Sequence, residues 1–148
     1  MMTAKKRFGQ HFLKDPAVLQ KIVDTIDPMM QDTIIEIGPG RGVLTQQVVS
    51  KCQKLIAVEI DNDLIPILIN QFRAYQSFQL VHQDILNYTP SFSSYKLVGN
   101  IPYNLTTKLF EHIMLWEHKP STITFLIQKE EHSTGFDRKC CKSFSSIY

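Results

Sequence analysis

Thr33-Ile34-Ile35-Glu36-Ile37 runs directly into Gly38-Pro39-Gly40-Arg41-Gly42, and a helical pattern resumes at Val43 and continues to Ser50. A β-branched run favours a pleated strand, where stiff side chains pack well. Glycines then let the backbone turn sharply and come close to a ligand. The unit is strand, tight turn, helix, and a strand that feeds a helix belongs beside parallel neighbours.

The same alternation recurs along the chain. Asp15-Pro16 opens a helix, with Asp as N-cap and Pro at the first helical position, and Val18, Leu19, Ile22, Val23 and Ile26 follow at helical spacing. Leu55 to Ile60 is a second strand, closed by Asp61-Asn62-Asp63. Leu64 to Tyr75 reads as helix, with Pro66 confined to its first turn. Phe78 to His82 is a third strand, ending at Gln83-Asp84, and Tyr95 to Gly99 a fourth. Leu105 to Trp116 is helical, with Leu105, Leu109, Ile113 and Trp116 on one face. Ile123 to Ile127 is a fifth strand, almost continuously apolar. Strands apolar on both sides indicate a parallel sheet covered on both faces. Right-handed crossovers then predict an α/β, doubly wound, Rossmann-like fold of about five parallel strands. At 148 residues the chain has room for one domain, over residues 1–130. Residues 131–148 show neither a helical nor a strand period and read as loop or disorder.

Composition narrows the function less. Hydrophobic residues make up 43% and charged residues 20%, and the net charge is +2, an ordinary globular balance. Lys5, Lys6 and Arg7 form a basic cluster, which on charge alone is a solvated tail. Cys52, Cys140 and Cys141 are an odd count with no CxxC spacing, so neither a disulfide framework nor a zinc site is expected. No apolar run nears about 18 residues and no signal-peptide core opens the chain. A cytoplasmic protein with no membrane partner and no metal is expected. His82, His112 and His118 lack a partner pattern and are assigned to surface or satisfied core positions.

The strand ends carry the candidate chemistry, because open α/β sheets bind ligands there. The dinucleotide fingerprint G-x-G-x-x-G would need glycine at position 43, where Val43 stands. The third glycine, Gly42, comes one residue early. That offset counts against a pyrophosphate and leaves a nucleoside cofactor without phosphate, such as S-adenosylmethionine. Glu59, about 20 residues beyond Gly38, suits ribose hydroxyls in either kind of cofactor; Asp61 is its neighbouring competitor. Asp84 ends the third strand and suits an adenine amine. Asn100-Ile101-Pro102-Tyr103 ends the fourth. There an amide oxygen and a backbone carbonyl, assigned to Asn100 and Pro102, suit the two protons of an exocyclic amine, and the Tyr103 ring suits stacking on its base. Methyl transfer to such an amine needs positioning rather than a general base.

In this order, Arg7-Phe8-Gly9-Gln10-His11-Phe12-Leu13, Glu36 to Gly42, Glu59-Ile60-Asp61, Asp84, Asn100 to Tyr103 and Phe125-Leu126-Ile127-Gln128-Lys129-Glu130 resemble the ribosomal RNA adenine dimethyltransferases, over residues 5–130. The Gly-Gln-His-Phe-Leu form is similar to the small-subunit enzymes. The resemblance implies a methyltransferase fold and S-adenosylmethionine as cofactor. It implies dimethylation of two adjacent adenosines near the 3′ end of small-subunit ribosomal RNA, during subunit maturation. It places His11 and Leu13 beside the cofactor, Gly38 on its methionine part, Glu59 on its ribose, Asp84 on its adenine and Asn100 at its methyl end. Lys5, Lys6 and Arg7 then become RNA contacts, weakened by salt. A monomer acting on the immature small subunit is expected.

The resemblance stops after Glu130, where family members continue with further strands and a small helical domain. The change of character is expected of a truncated or frameshifted product. The fifth strand, Thr122 to Gln128, would then expose an unpaired apolar edge, and dimethylation would be weak or absent. Three other readings stand beside this one: a catalytically dead RNA- or subunit-binding remnant, a nicotinamide-dependent oxidoreductase, and a glutamine or DNA-adenine methyltransferase.

Overall fold

The computed structural model describes residues 13–127 and 144–147. Helix α1 (Pro16–Ile26) leads to β1 (Thr33–Ile37), α2 (Val43–Val48), β2 (Lys54–Glu59), α3 (Ile65–Phe72) and β3 (Phe78–His82). A 3₁₀ turn (Ile85–Asn87), β4 (Lys96–Ile101), α4 (Tyr103–Leu115), β5 (Thr122–Ile127) and β6 (Phe144–Ile147) follow. The strands form one sheet in the order β3-β2-β1-β4-β5-β6, and every pair is parallel. This is a doubly wound order, and its direction reverses between β1 and β4, where such sheets bind ligands.

Alternation along each strand divides the core in two. Ile34, Leu55, Val98 and Leu126 pack with Ile22, Val23, Leu44, Val48, Leu68 and Phe72, so α1, α2 and α3 cover one face. Ile35, Ile37, Ile56, Val58, Leu97, Ile123 and Phe125 pack with Leu109, Ile113 and Trp116, so α4 covers the other. The Asp15 cap of α1 is present: its side chain accepts from Ala17 N–H, and Pro16 opens the helix.

The sheet is pinned at the amino ends of its strands by Lys96. Its Nζ lies 2.7 Å from Asp32 Oδ2 and donates to the carbonyls of Ile26 and Asp27, at 3.0 and 2.6 Å. A cation at those carbonyls satisfies groups that the end of α1 would leave unpaired.

Three boundaries differ from the sequence reading. The second strand stops at Glu59, and Ile60 is 58% exposed. The fourth continues through Asn100 to Ile101, because β5 pairs with both residues, Asn100 opposite Leu126 and Ile101 opposite Ile127. The third concerns the segment read as loop or disorder. Phe144–Ile147 pairs with β5, Ile123 opposite Phe144 through Leu126 opposite Ile147. The expected unpaired edge of the fifth strand is therefore corrected over these residues, and the sheet has six strands. Backbone pairing needs no hydrophobic period, so it left no trace in the periodicity of residues 131–148.

Candidate functional site

The carboxyl ends of the strands form one rim. Gly38 N–H donates to the Val58 carbonyl at 2.9 Å, joining the glycine loop to β2, and Gln83 N–H donates to the Glu59 carbonyl at 3.0 Å, joining β2 to the segment carrying Asp84. On the other side of β1, Ile37 lies opposite Gly99, so Asn100 sits beside the Gly38 turn. Gly38, Glu59, Asp84 and Asn100 thus lie in series. His11 and the basic residues Lys5, Lys6 and Arg7 fall outside the described residues. Leu13 is half-buried and packs against the core under α1 and α2.

The glycine loop is built by backbone conformation. Gly38, Gly40 and Gly42 have φ of 61°, 59° and 79°, a region that side-chain-bearing residues rarely occupy. A Cβ added at Gly38 or Gly40 would meet nothing within 4 Å, whereas one at Gly42 would lie 2.5 Å from the Phe72 ring. The early third glycine is therefore a packing requirement of α2 against α3. The first two leave open space above the rim.

Glu59 is 5% exposed and organises the loops around it. Its Oε1 accepts from Ile60 N–H at 3.0 Å and Asp61 N–H at 2.9 Å. Its Oε2 accepts from Gly40 N–H at 3.3 Å. A carboxylate offers about four acceptor positions, so one remains on Oε2. Asp61, its competitor in the sequence, accepts from Asp63 N–H and shapes the turn. Asp84 caps the 3₁₀ turn: Oδ1 accepts from Leu86 N–H at 2.9 Å, and Oδ2 takes no partner among the described residues.

Asn100 shares the sheet face of Val98, Glu36 and Glu59, by the strand alternation and the register across β4, β1 and β2. Tyr103 begins α4 and is 39% exposed. The Pro102 carbonyl is the backbone acceptor assigned from the sequence to an amine proton. It accepts from Leu105 N–H at 3.0 Å and the Thr106 hydroxyl at 3.3 Å, because Pro102 is the N-cap of α4. An N-cap carbonyl points along its helix and is not free to meet an amine. The next backbone acceptor toward the strand is Ile101.

Two residues that matter here were not singled out from the sequence. Glu36, on β1, is 3% exposed, and its Oε2 accepts from the Thr45 hydroxyl at 2.7 Å. Burial pushes its pKa up from 4.5 to about 7; the Thr45 bond opposes that rise and the charge of Glu59 adds to it. Neither Glu36 nor Glu59 has an ion-pair partner among the described residues. The available signal was a lone carboxylate in a β-branched run, one residue before the loop. The second is Gly99, where a Cβ would lie 2.8 Å from the Ile37 carbonyl; it lets β4 close on β1 at the switch point. Of the histidines, His112 Nε2 lies 2.8 Å from the Tyr88 carbonyl and His82 Nε2 lies 3.4 Å from the Ile60 carbonyl.

Among the described residues no cluster of His, Cys, Asp or Glu could hold a metal ion. No helix there is long and apolar enough to cross a membrane.

Known proteins share both the sequence and the architecture. A ribosomal RNA small subunit methyltransferase A of Coxiella burnetii (strain Dugway 5J108-111) is 43% identical over 135 residues, covering 87% of this chain and 52% of the relative. The chain therefore spans about half the length of that relative. The crystal structure of the 23S rRNA methyltransferase ErmE superposes with a TM-score of 0.72 at 26% identity, over 79% of this chain and 48% of that one. A dimethyladenosine transferase from Plasmodium falciparum gives 0.71 at 25% identity, over 80% and 44%. The family model for ribosomal RNA adenine dimethylase matches residues 1–147, and the chain belongs to that family.

Proposed function

We propose that this chain binds S-adenosylmethionine on the Gly38–Asn100 rim and directs its methyl group to the exocyclic amine of adenosine in ribosomal RNA. The observation that carries the cofactor reading is the pair of buried carboxyls, Glu36 and Glu59, beside an open glycine loop with no basic partner among the described residues. Buried carboxylates need a counter-charge. A pyrophosphate would be repelled there, which disfavours a nicotinamide cofactor; a cationic nucleoside suits the loop. The space above Gly38 and Gly40 admits the methionine part, the open position on Glu59 Oε2 a ribose hydroxyl, and Asp84 Oδ2 the adenine amine. Leu13 and, outside the described residues, His11 are assigned to the flanks of the cofactor.

When bound, S-adenosylmethionine supplies a methyl group already activated on sulfur. The protein's task is then to present the amine. Asn100 Oδ1 and the Ile101 carbonyl accept the amine's two protons and turn its lone pair toward the donor. A neutral amide suits this role because it adds no charge beside the donor. Tyr103 stacks on the flipped base at the start of α4. With the donor bound, Asn100 and the Ile101 carbonyl would hold the amine in line with the methyl group, and the surplus proton of the methylated nitrogen would pass to water without a general base.

The substrate is two adjacent adenosines near the 3′ end of small-subunit ribosomal RNA, methylated during subunit maturation, with Lys5, Lys6 and Arg7 on its phosphates. The chain is proposed to transfer methyl groups weakly and to act as a monomer in the cytoplasm. The test is radiolabelled methyl transfer from S-adenosylmethionine to immature small subunits, beside cofactor titration by calorimetry. Label on adenine with the wild-type chain and none with Asn100→Ala supports the proposal. Heat from NAD and none from S-adenosylmethionine overturns it.

A further inference from the structure

We infer that Glu36, held beneath the glycine loop by Thr45, reads the positive charge of the methyl donor and so separates the donor from its spent product. This rests on the cofactor reading above. Glu36 is a positioning residue in this role, acting across a low-dielectric interior.

The surroundings of Glu36 leave few charges to answer it. On the sheet its neighbours are Ala57 of β2 and Val98 of β4. From α2 the fully buried Thr45 donates its hydroxyl to Oε2, and from the end of β2 the like charge of Glu59 faces it. Arg41, in the loop, is exposed. The other oxygen of Glu36 takes no hydrogen bond among the described residues. Such a group is only partly ionised near neutral pH, and a cation arriving beside it favours the charged form. The donor brings one as a sulfonium, and after transfer the thioether product carries one positive charge fewer. Donor binding therefore releases a proton from Glu36, and the product loses the attraction that held the donor. The pKa of about 7 at Glu36 keeps that proton in play near neutral pH.

The test is calorimetry of the full chain with S-adenosylmethionine and, separately, S-adenosylhomocysteine, at pH 6, 7 and 8. The wild type is expected to hold the donor roughly tenfold more tightly at pH 8 than at pH 6, with under about twofold change for the product. Glu36→Gln flattens the donor profile and brings the two affinities together. Thr45→Val removes a bond that favours the ionised form and moves the profile to higher pH, and Thr45→Ser restores it. His82→Asn, at an exposed imidazole on β3, leaves the profile in place. A Glu36→Gln chain that keeps the wild-type profile and donor-to-product ratio overturns the inference alone, as does a wild type with pH-independent donor affinity. Should Glu36→Gln fail to fold, an unmoved profile in Thr45→Val overturns it equally. No heat from either compound, with the wild type folded by circular dichroism, overturns the cofactor reading and this inference with it.

Discussion

Replacing Glu36 with glutamine should stabilise the free protein, and by an amount that depends on pH. The folded state holds the Glu36 pKa at about 7, against an ordinary 4.5. Between those values the folded protein carries a proton that the unfolded chain has lost. By linkage, stability falls as pH rises through that window. Below about pH 4.5 both states are protonated at this site and the penalty is absent; above about pH 7 both are ionised and it is complete. At about 1.4 kcal/mol for each tenfold change in acidity, the full penalty is about 3 kcal/mol. The amide of the Glu36→Gln chain cannot ionise, yet its oxygen can still accept from Thr45. Urea unfolding of both chains, followed by circular dichroism at pH 5, 6, 7 and 8, measures the difference directly. The gap in favour of the Glu36→Gln chain should open from just under about 1 kcal/mol at pH 5 to about 3 kcal/mol at pH 8. A gap that stays constant across this range would refute the reasoning, because it would mean the buried carboxyl keeps an ordinary acidity. The expected direction is that of a functional group retained against stability.

Lys96→Met should cost about 2–4 kcal/mol in urea unfolding, since it strands Asp32 and the last carbonyls of α1 while leaving cofactor heat unchanged. Gly99→Ala should lower stability by about 1–3 kcal/mol and weaken cofactor binding as well, because its methyl drives β4 off β1; thermal unfolding and calorimetry read the two effects. Tyr103→Ala should leave cofactor affinity within about twofold and reduce methyl transfer by at least about tenfold, the loss of one base-stacking contact. Cys52 is buried, and burial pushes its thiol up to about 11. It should resist alkylation until the chain unfolds, which peptide mapping by mass spectrometry checks.

Where function depends on strand ends, the sequence was highly legible. Apolar runs that stop close to Gly38, Glu59, Asp84 and Asn100 told roughly where the sheet ends, and a parallel sheet brings such ends to one rim. What stayed hidden depended on contacts between distant residues. Lys96 reads as an ordinary strand-edge lysine until the end of α1 and the loop that follows it offer three oxygens. Glu36 reads as part of a strand until α2 buries it under Thr45. The role of the Pro102 carbonyl turned on a helix starting at Tyr103, two residues earlier than the Leu105 periodicity suggests. Phe144–Ile147 joins the sheet through main-chain groups, which every sequence possesses and no composition announces. Gly42 was noticed as an offset, but its cause, the Phe72 ring, lies on another helix.

The parallel strands also give the domain a head and a foot. Gly38, Glu59, Asp84 and Asn100 hang from the head, while the Lys96 clamp fastens the foot. Variation in the head loops can therefore retune what is bound without loosening the frame. Damage at the foot would lower the amount of intact protein and leave each surviving molecule's chemistry unaltered. A screen that scores both abundance and turnover would sort substitutions into these two groups by which end of a strand they occupy.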